Sequence, residues 1–262
     1  MTVVTRLLAA SLVLCFATSA HADEQRWYRG KYGRNRVTHL TITVAFGAAY
    51  LASETILNDA LTSERCRWCD PPDFDRSARD ALAWNDKARA NFLSNMDAFV
   101  LAPVVGLGLL VASDHDATAS RLIDDLLPIA ETVAISQAVT QIVKFTVARR
   151  RPYARFGTDA PNNEDNLSFW SGHSALGFGI TTSAGLIAHW RGYWTEPYIW
   201  AAGIAISLST EYLRIAADRH YLSDVFVGGL VGVGSGLLIP RLMRRDLEIV
   251  PVANGIALAG KM

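Results

Sequence analysis

Between residues 37 and 240 the chain falls into six apolar stretches bounded by charge, proline or glycine: 37–53, 98–113, 122–148, 174–190, 198–213 and 223–240. Stretches of that length are helical in a soluble core or a bilayer, since strands usually end after about 5–6 residues. A chain built this way folds as an all-α bundle of about six core helices. Residues 37–53 run seventeen positions and residues 98–113 sixteen without a formal charge. Such runs fall short of the roughly 20 residues that cross a bilayer with ease, so length permits thin membrane spans and a buried core alike.

The intervals carry different signals. Residues 58–95 are rich in Arg, Asp and Pro, with Pro71-Pro72 as a helix break and 77–91 helix-compatible beyond it, which reads as a surface excursion. Residues 247–258 alternate apolar positions around Asn254-Gly255, a dipeptide favoured in two-residue hairpins, so a small C-terminal β-hairpin is expected. Gly228, Gly229, Gly232, Gly234 and Gly236 match no nucleotide-binding fingerprint and point to close helix packing.

Arg6 precedes an apolar run over 7–17 and Ala20-His21-Ala22, which reads as a signal peptide over residues 1–22 cleaved after Ala22. The remainder, 23–262, is expected to form one exported domain. Cys66 and Cys69 are then an even pair suited to an oxidising compartment, as a local disulfide or as free thiols; a half zinc site or redox pair lacks its second half. Lys plus Arg equal Asp plus Glu at 25 each, so no net field draws nucleic acid and any anion must be held locally.

Three local clusters offer such a site. Lys144 and Arg151 lie seven positions apart, two helical turns, and would share a face if the helix continues to Pro152. An arginine fork and a lysine point charge suit one oxyanion together, although either at a helix end also serves as a dipole cap. Ser171-Gly172-His173 opens a helix, where backbone N–H groups and the Ser171 hydroxyl face an anion, Gly172 allows close approach, and His173 is placed to protonate a departing alkoxide. His220 and Asp224 are four apart and meet across one helical turn, with Arg214 earlier on the chain. Asp224 accepting from one ring nitrogen would leave the other free to attack phosphorus. Glu211, Arg214, Asp218, Arg219, His220 and Asp224 crowd a short stretch between apolar runs, which is costly without a function.

In this order and spacing the clusters resemble the three-part signature of the type 2 phosphatidic acid phosphatase and vanadium haloperoxidase superfamily, over roughly residues 122–240. Trp170 stands where proline commonly precedes the Ser-Gly-His triplet, and Leu213 where serine commonly precedes the arginine; neither change removes a reactive group. The resemblance implies a phosphoric ester hydrolase in which His220 is the nucleophile, Asp224 its orienter and His173 the leaving-group acid. Lys144, Arg151, Ser171, Gly172 and Arg214 would hold the phosphoryl oxygens with no metal or other cofactor. The expected substrate is a phosphate or diphosphate ester, of a lipid by preference, and the expected location is the periplasm or the periplasmic side of a membrane. A vanadate-dependent haloperoxidase with His220 as ligand is the rival within the superfamily, and a non-catalytic helical membrane scaffold the rival outside it. Counting crossings adds a tension: if residue 23 lies outside and all three helices before Arg151 span, the first cluster lies inside. Trp190 and Trp194, beside Arg191 and Tyr193, are candidates for an interfacial aromatic belt.

Overall fold

The computed structural model describes residues 36–114, 118–157, 162, 164–244, 248–252 and 255–259; the signal-peptide expectation lies outside these. Nine helices occupy the described residues: α1 (Arg36–Thr55), α2 (Asn58–Leu61), α3 (Asp73–Leu82), α4 (Lys87–Ser113), α5 (Ala119–Val147), α6 (Pro152–Phe156), α7 (Gly172–Arg191), α8 (Glu196–Ala216) and α9 (Leu222–Arg244). An antiparallel hairpin, β1 (Glu248–Val252) and β2 (Gly255–Ala259), follows. Val252 pairs with Gly255, so Gly255 belongs to the strand and not to the expected two-residue turn.

Side-chain caps set several helix starts. Asp86 accepts from the Arg89 N–H at the head of α4, Thr118 from Arg121 at α5, and Ser171 from Ser174 at α7. The Asp86 cap corrects the expectation of one helix over 77–91: the backbone is extended at Ala83 and restarts at Lys87. From there α4 runs into the apolar stretch without a break, through two π-helical segments, Asp97–Leu101 and Val104–Gly108, on either side of Pro103. Pro103 has no N–H to donate, and wider turns of this kind absorb such an interruption.

Helix α7 is the axis of the bundle, packed most extensively on α9 and then on α8 and α5. Close approach depends on glycine: a Cβ at position 232 would come within 2.6 Å of the Ala175 carbonyl oxygen, and one at 236 within 2.8 Å of Thr182. The outer surface is the reverse. Helix α1 buries none of its residues, and Val104, Ile142 and Leu238 are each more than half exposed on α4, α5 and α9. Those three helices are long and apolar enough to cross a bilayer, and such a surface associates with a membrane. The aromatic belt is halved: Trp194 is exposed, but Trp190 is buried under Arg244, so only the first is free to meet an interface.

Candidate active site

The C-terminal ends of α5 and α8 and the N-terminal ends of α4, α7 and α9 meet at one end of the bundle, and every charged residue singled out from the sequence lies there. Helix α5 stops at Val147, where Ala148 adopts a left-handed conformation (φ 46°) and donates its N–H to the Lys144 carbonyl. The expectation that Lys144 and Arg151 share a helical face is thereby corrected. The chain then runs past Arg149 to an extended Arg151, held by Arg67 N–H to Ala148 O and Arg150 N–H to Trp68 O, both 3.0 Å. Cys66 and Cys69 are joined as a disulfide beside this contact. Arg151 is buried and donates through Nε to the Glu164 carbonyl at 2.9 Å. Lys144 reaches the same region from the helix: its Nζ lies 3.8 Å from the point where Gly172 would carry a Cβ.

At the head of α7, Ser171 is fully buried as the helix cap and donates its N–H to the Asp224 carbonyl. Its hydroxyl therefore serves the helix first. Gln137 donates to the Gly172 carbonyl at 3.0 Å, tying this turn to α5. His173 is held from outside the expected set, with Nε2 2.8 Å from Asn95 Oδ1 and its ring edge-on to Phe99 at 4.9 Å.

His220 precedes α9 instead of lying on it, in a turn where Asp218 adopts a left-handed φ of 59°. The Asp218 carboxylate anchors that turn by accepting from Arg79 (2.6 and 2.8 Å) and Lys87 (2.5 Å). Burial would raise this carboxyl, but the hydrogen bonds from Arg79 and Lys87 prevail and hold it below the usual carboxylate range. The ring Nδ1 of His220 donates to the Ser168 carbonyl at 2.8 Å, and Asp224 Oδ2 stands at 3.7 Å. This corrects the expected direct His220–Asp224 hydrogen bond. Asp224 is already committed to the Ser168 hydroxyl (2.5 Å), the Tyr221 N–H (2.9 Å) and Arg149, so it ties together Ser168 and the 220–221 turn, the two partners in the imidazole contact. With Nδ1 carrying the hydrogen, Nε2 is the nitrogen with a lone pair. Burial, then Arg214, Arg151 and Lys144, push His220 well below the ordinary histidine range against the opposing pull of the Ser168 carbonyl. The same cations act on His173, so both imidazoles and all three cations share one electrostatic neighbourhood.

Sequence reasoning missed the groups behind these. Arg149 is buried between the Trp68 and Tyr221 rings (3.8 and 4.4 Å) and joins Asp224 to Asp75, which lies 2.6 Å from its Nη2. Asp75 also accepts from the Ser223 N–H and hydroxyl. Arg214 is buried with Nη1 2.8 Å from Asn91 Oδ1 and 3.3 Å from Ser94 Oγ, while its Nε has no acceptor among the described residues. The Arg149-Arg150-Arg151 run and the polar positions 91, 94 and 95 ahead of an apolar stretch were the available signals. The reading of 58–95 as a surface excursion overlooked them: Asp75, Ala78, Ala90 and Ser94 are buried and form the back of the site.

Residues 125–248 match the family model described as the PAP2 superfamily. The chain is similar to the PAP2 superfamily over that span, just under half of its length. Phospholipid phosphatase 2 of Bos taurus is 29% identical over a match covering 38% of this chain and 44% of the relative. Phospholipid phosphatase 1 of Mus musculus is 27% identical, covering 41% and 47%. The match thus spans less than half the length of these curated relatives. Among solved structures, the chain is similar to Aquifex aeolicus LpxE (20% identity, TM-score 0.47, 64% of this chain and 93% of that one). It is also similar to a transmembrane PAP2 type phosphatidylglycerolphosphate phosphatase from Bacillus subtilis (14% identity, TM-score 0.47, 77% and 93%). The family match takes in α5 to α9 with every expected site residue, and leaves α3 and α4, with Asp75, Asn91 and Asn95, outside it.

Proposed function

We propose that this protein is a PAP2-type, metal-independent phosphoric ester hydrolase that cleaves a phosphate or diphosphate ester of a lipid through a phosphohistidine. The observation that carries the reading is a buried imidazole, His220, whose Nδ1 is tied to the Ser168 carbonyl, while burial and then Arg214, Arg151 and Lys144 favour its neutral form. Its Nε2 lone pair attacks phosphorus, and the phosphorus–oxygen bond to the leaving group breaks as His173 delivers a proton to that oxygen. The three cations and the Gly172 backbone take up the charge on the equatorial oxygens, with the unsatisfied Arg214 Nε as one donor available to them. Water then attacks the phosphohistidine with His173 as base, releasing inorganic phosphate. Asp224 acts on His220 through Ser168, as the geometry of the pair requires.

Two features support a lipid substrate at a membrane: the names of the matched relatives, and the exposed apolar α4 beside the site. The Cys66–Cys69 disulfide lies at the site end of the bundle, which suits a site on the periplasmic side. Arg36, at the start of α1, pairs with Asp124 near the start of α5, at the opposite end. A periplasmic site and cleavage after Ala22 therefore go together without a further crossing between residues 23 and 36 only if α5 itself does not span.

The test is phosphate release from a panel of lipid and soluble phosphoesters by purified protein in detergent, with chelator present, comparing wild type with His220→Ala. Release that survives chelator and disappears with His220 is the expected result. No release from any ester by wild type, or release that persists in His220→Ala, would overturn the reading.

A further inference from the structure

Helix α4 is apolar over most of its length and exposes Phe92, Phe99, Val100, Leu101 and Val104. Against that background Asn91, Ser94 and Asn95 stand at i, i+3 and i+4, one inward face of the helix. Each touches a group of the site: Asn91 and Ser94 hold Arg214, and Asn95 holds His173. A polar triad facing inward at the polar foot of a helix whose remainder is apolar is costly unless its partners need it. The π-helical segment Asp97–Leu101 follows one residue beyond the triad and carries Phe99, whose ring lies against that of His173.

We propose that Asn95 is a positioning residue for leaving-group protonation, setting the tautomer and ring plane of His173. The proposal rests on the phosphatase reading and extends it to a helix that the family match does not reach. An amide oxygen only accepts, so at 2.8 Å from Nε2 it requires the hydrogen on Nε2. His173 enters this step as the imidazolium, with Nε2–H held by Asn95, and Nδ1 gives its proton to the leaving oxygen as the phosphorus–oxygen bond breaks and the phosphorus–Nε2 bond to His220 forms; the attacking water returns a proton to Nδ1 in the second step. Without Asn95 the ring rotates against Phe99 alone, which offers no hydrogen bond and therefore no choice of tautomer.

The experiment separates this role from a structural one by leaving-group demand. The first phosphoryl transfer, read as kcat/KM in detergent, is compared for dioctanoyl phosphatidate, whose alkoxide needs a proton, and p-nitrophenyl phosphate, whose phenolate departs without one. Asn95→Ala is expected to lower kcat/KM for the phosphatidate by about 10- to 100-fold, within the range of general acid catalysis, and to change the aryl ester by less than about 3-fold. Asn95→Asp, which keeps an acceptor oxygen at the same reach, is expected to recover most of the loss. Equal losses on both esters, no loss on either, or no recovery in a folded Asn95→Asp would each overturn the positioning role while leaving the phosphatase reading intact. Wild type inactive on both esters would instead overturn that reading, and the inference with it.

Discussion

Two walls enclose the site, and they are built to different rules. The wall formed by the ends of α5 and α8 and the starts of α7 and α9 carries Lys144, Arg151, His173, Arg214 and His220, the groups to which the proposed mechanism assigns chemistry. The wall formed by α3 and the first turns of α4 carries Asp75, Arg79, Lys87, Asn91, Ser94 and Asn95, whose polar atoms are engaged by groups of the first wall or by its supports. Reactive side chains must be left partly unsatisfied to meet a substrate, whereas the side chains that aim them must be satisfied. The first wall is thus recognisable from residue types and spacing, and the second only from what it touches.

Removing groups from each wall in turn tests that division, and the largest loss belongs to the first. His220→Ala is expected to lower phosphate release by about 10⁴-fold or more, as for other nucleophile deletions, with melting temperature little changed. Arg214→Ala should cost about 10²- to 10³-fold in kcat/KM, and Arg214→Lys should fail to restore it, because an ammonium cannot hold Asn91 and a phosphoryl oxygen in one plane. Equal activity in Arg214→Lys and wild type would show that only charge matters there.

The second wall should fail differently. Asp75→Ala leaves buried Arg149 with Asp224 alone and is expected to destabilise the protein by about 3–5 kcal/mol, read as a lower thermal midpoint in detergent. Asn91→Ala, which removes one acceptor from Arg214, is expected to cost only about 3- to 10-fold in kcat/KM with KM rising, as for loss of one hydrogen bond to a charged group. If Asn91→Ala matched Arg214→Ala, the two walls would not be distinct.

The smallest effect concerns pH. The folded-state value of His220 lies well below 6.5, so the unfolded chain takes up a proton on acidification before the folded one does. Stability from this group is therefore complete above about pH 6.5 and is lost as pH falls from there toward the folded value. Wild type should lose thermal stability on acidification in that window, and His220→Ala should lose less. The acid limb of kcat/KM should likewise fall below pH 6.5, since neutral His220 persists there.

How much of this could be read without the structure follows the same division. The helical class, the glycine-mediated contact of α9 with α7 and the convergence of the charged clusters follow from run length, residue size and spacing. The path between Lys144 and Arg151 did not, because helix termination at Ala148 is set by backbone pairing with residues 67–68, a tertiary contact. The His220–Asp224 relation was misread because spacing of four implies contact only within a helix, and here the helix begins at Leu222. Asp75, Asn91 and Asn95 were invisible for a different reason: their polarity looked like solvent exposure, and only packing against α8 and α7 turns it inward.

Trapping the intermediate tests the central claim most directly. Wild type and His220→Ala would be quenched in alkali after brief exposure to a phosphoester labelled in the phosphoryl group, and the label located by peptide mass spectrometry. The account predicts an acid-labile, alkali-stable phosphate on His220 of wild type and none in the variant. Label at another residue, or turnover of the ester with no labelled protein at any quench time, would contradict it.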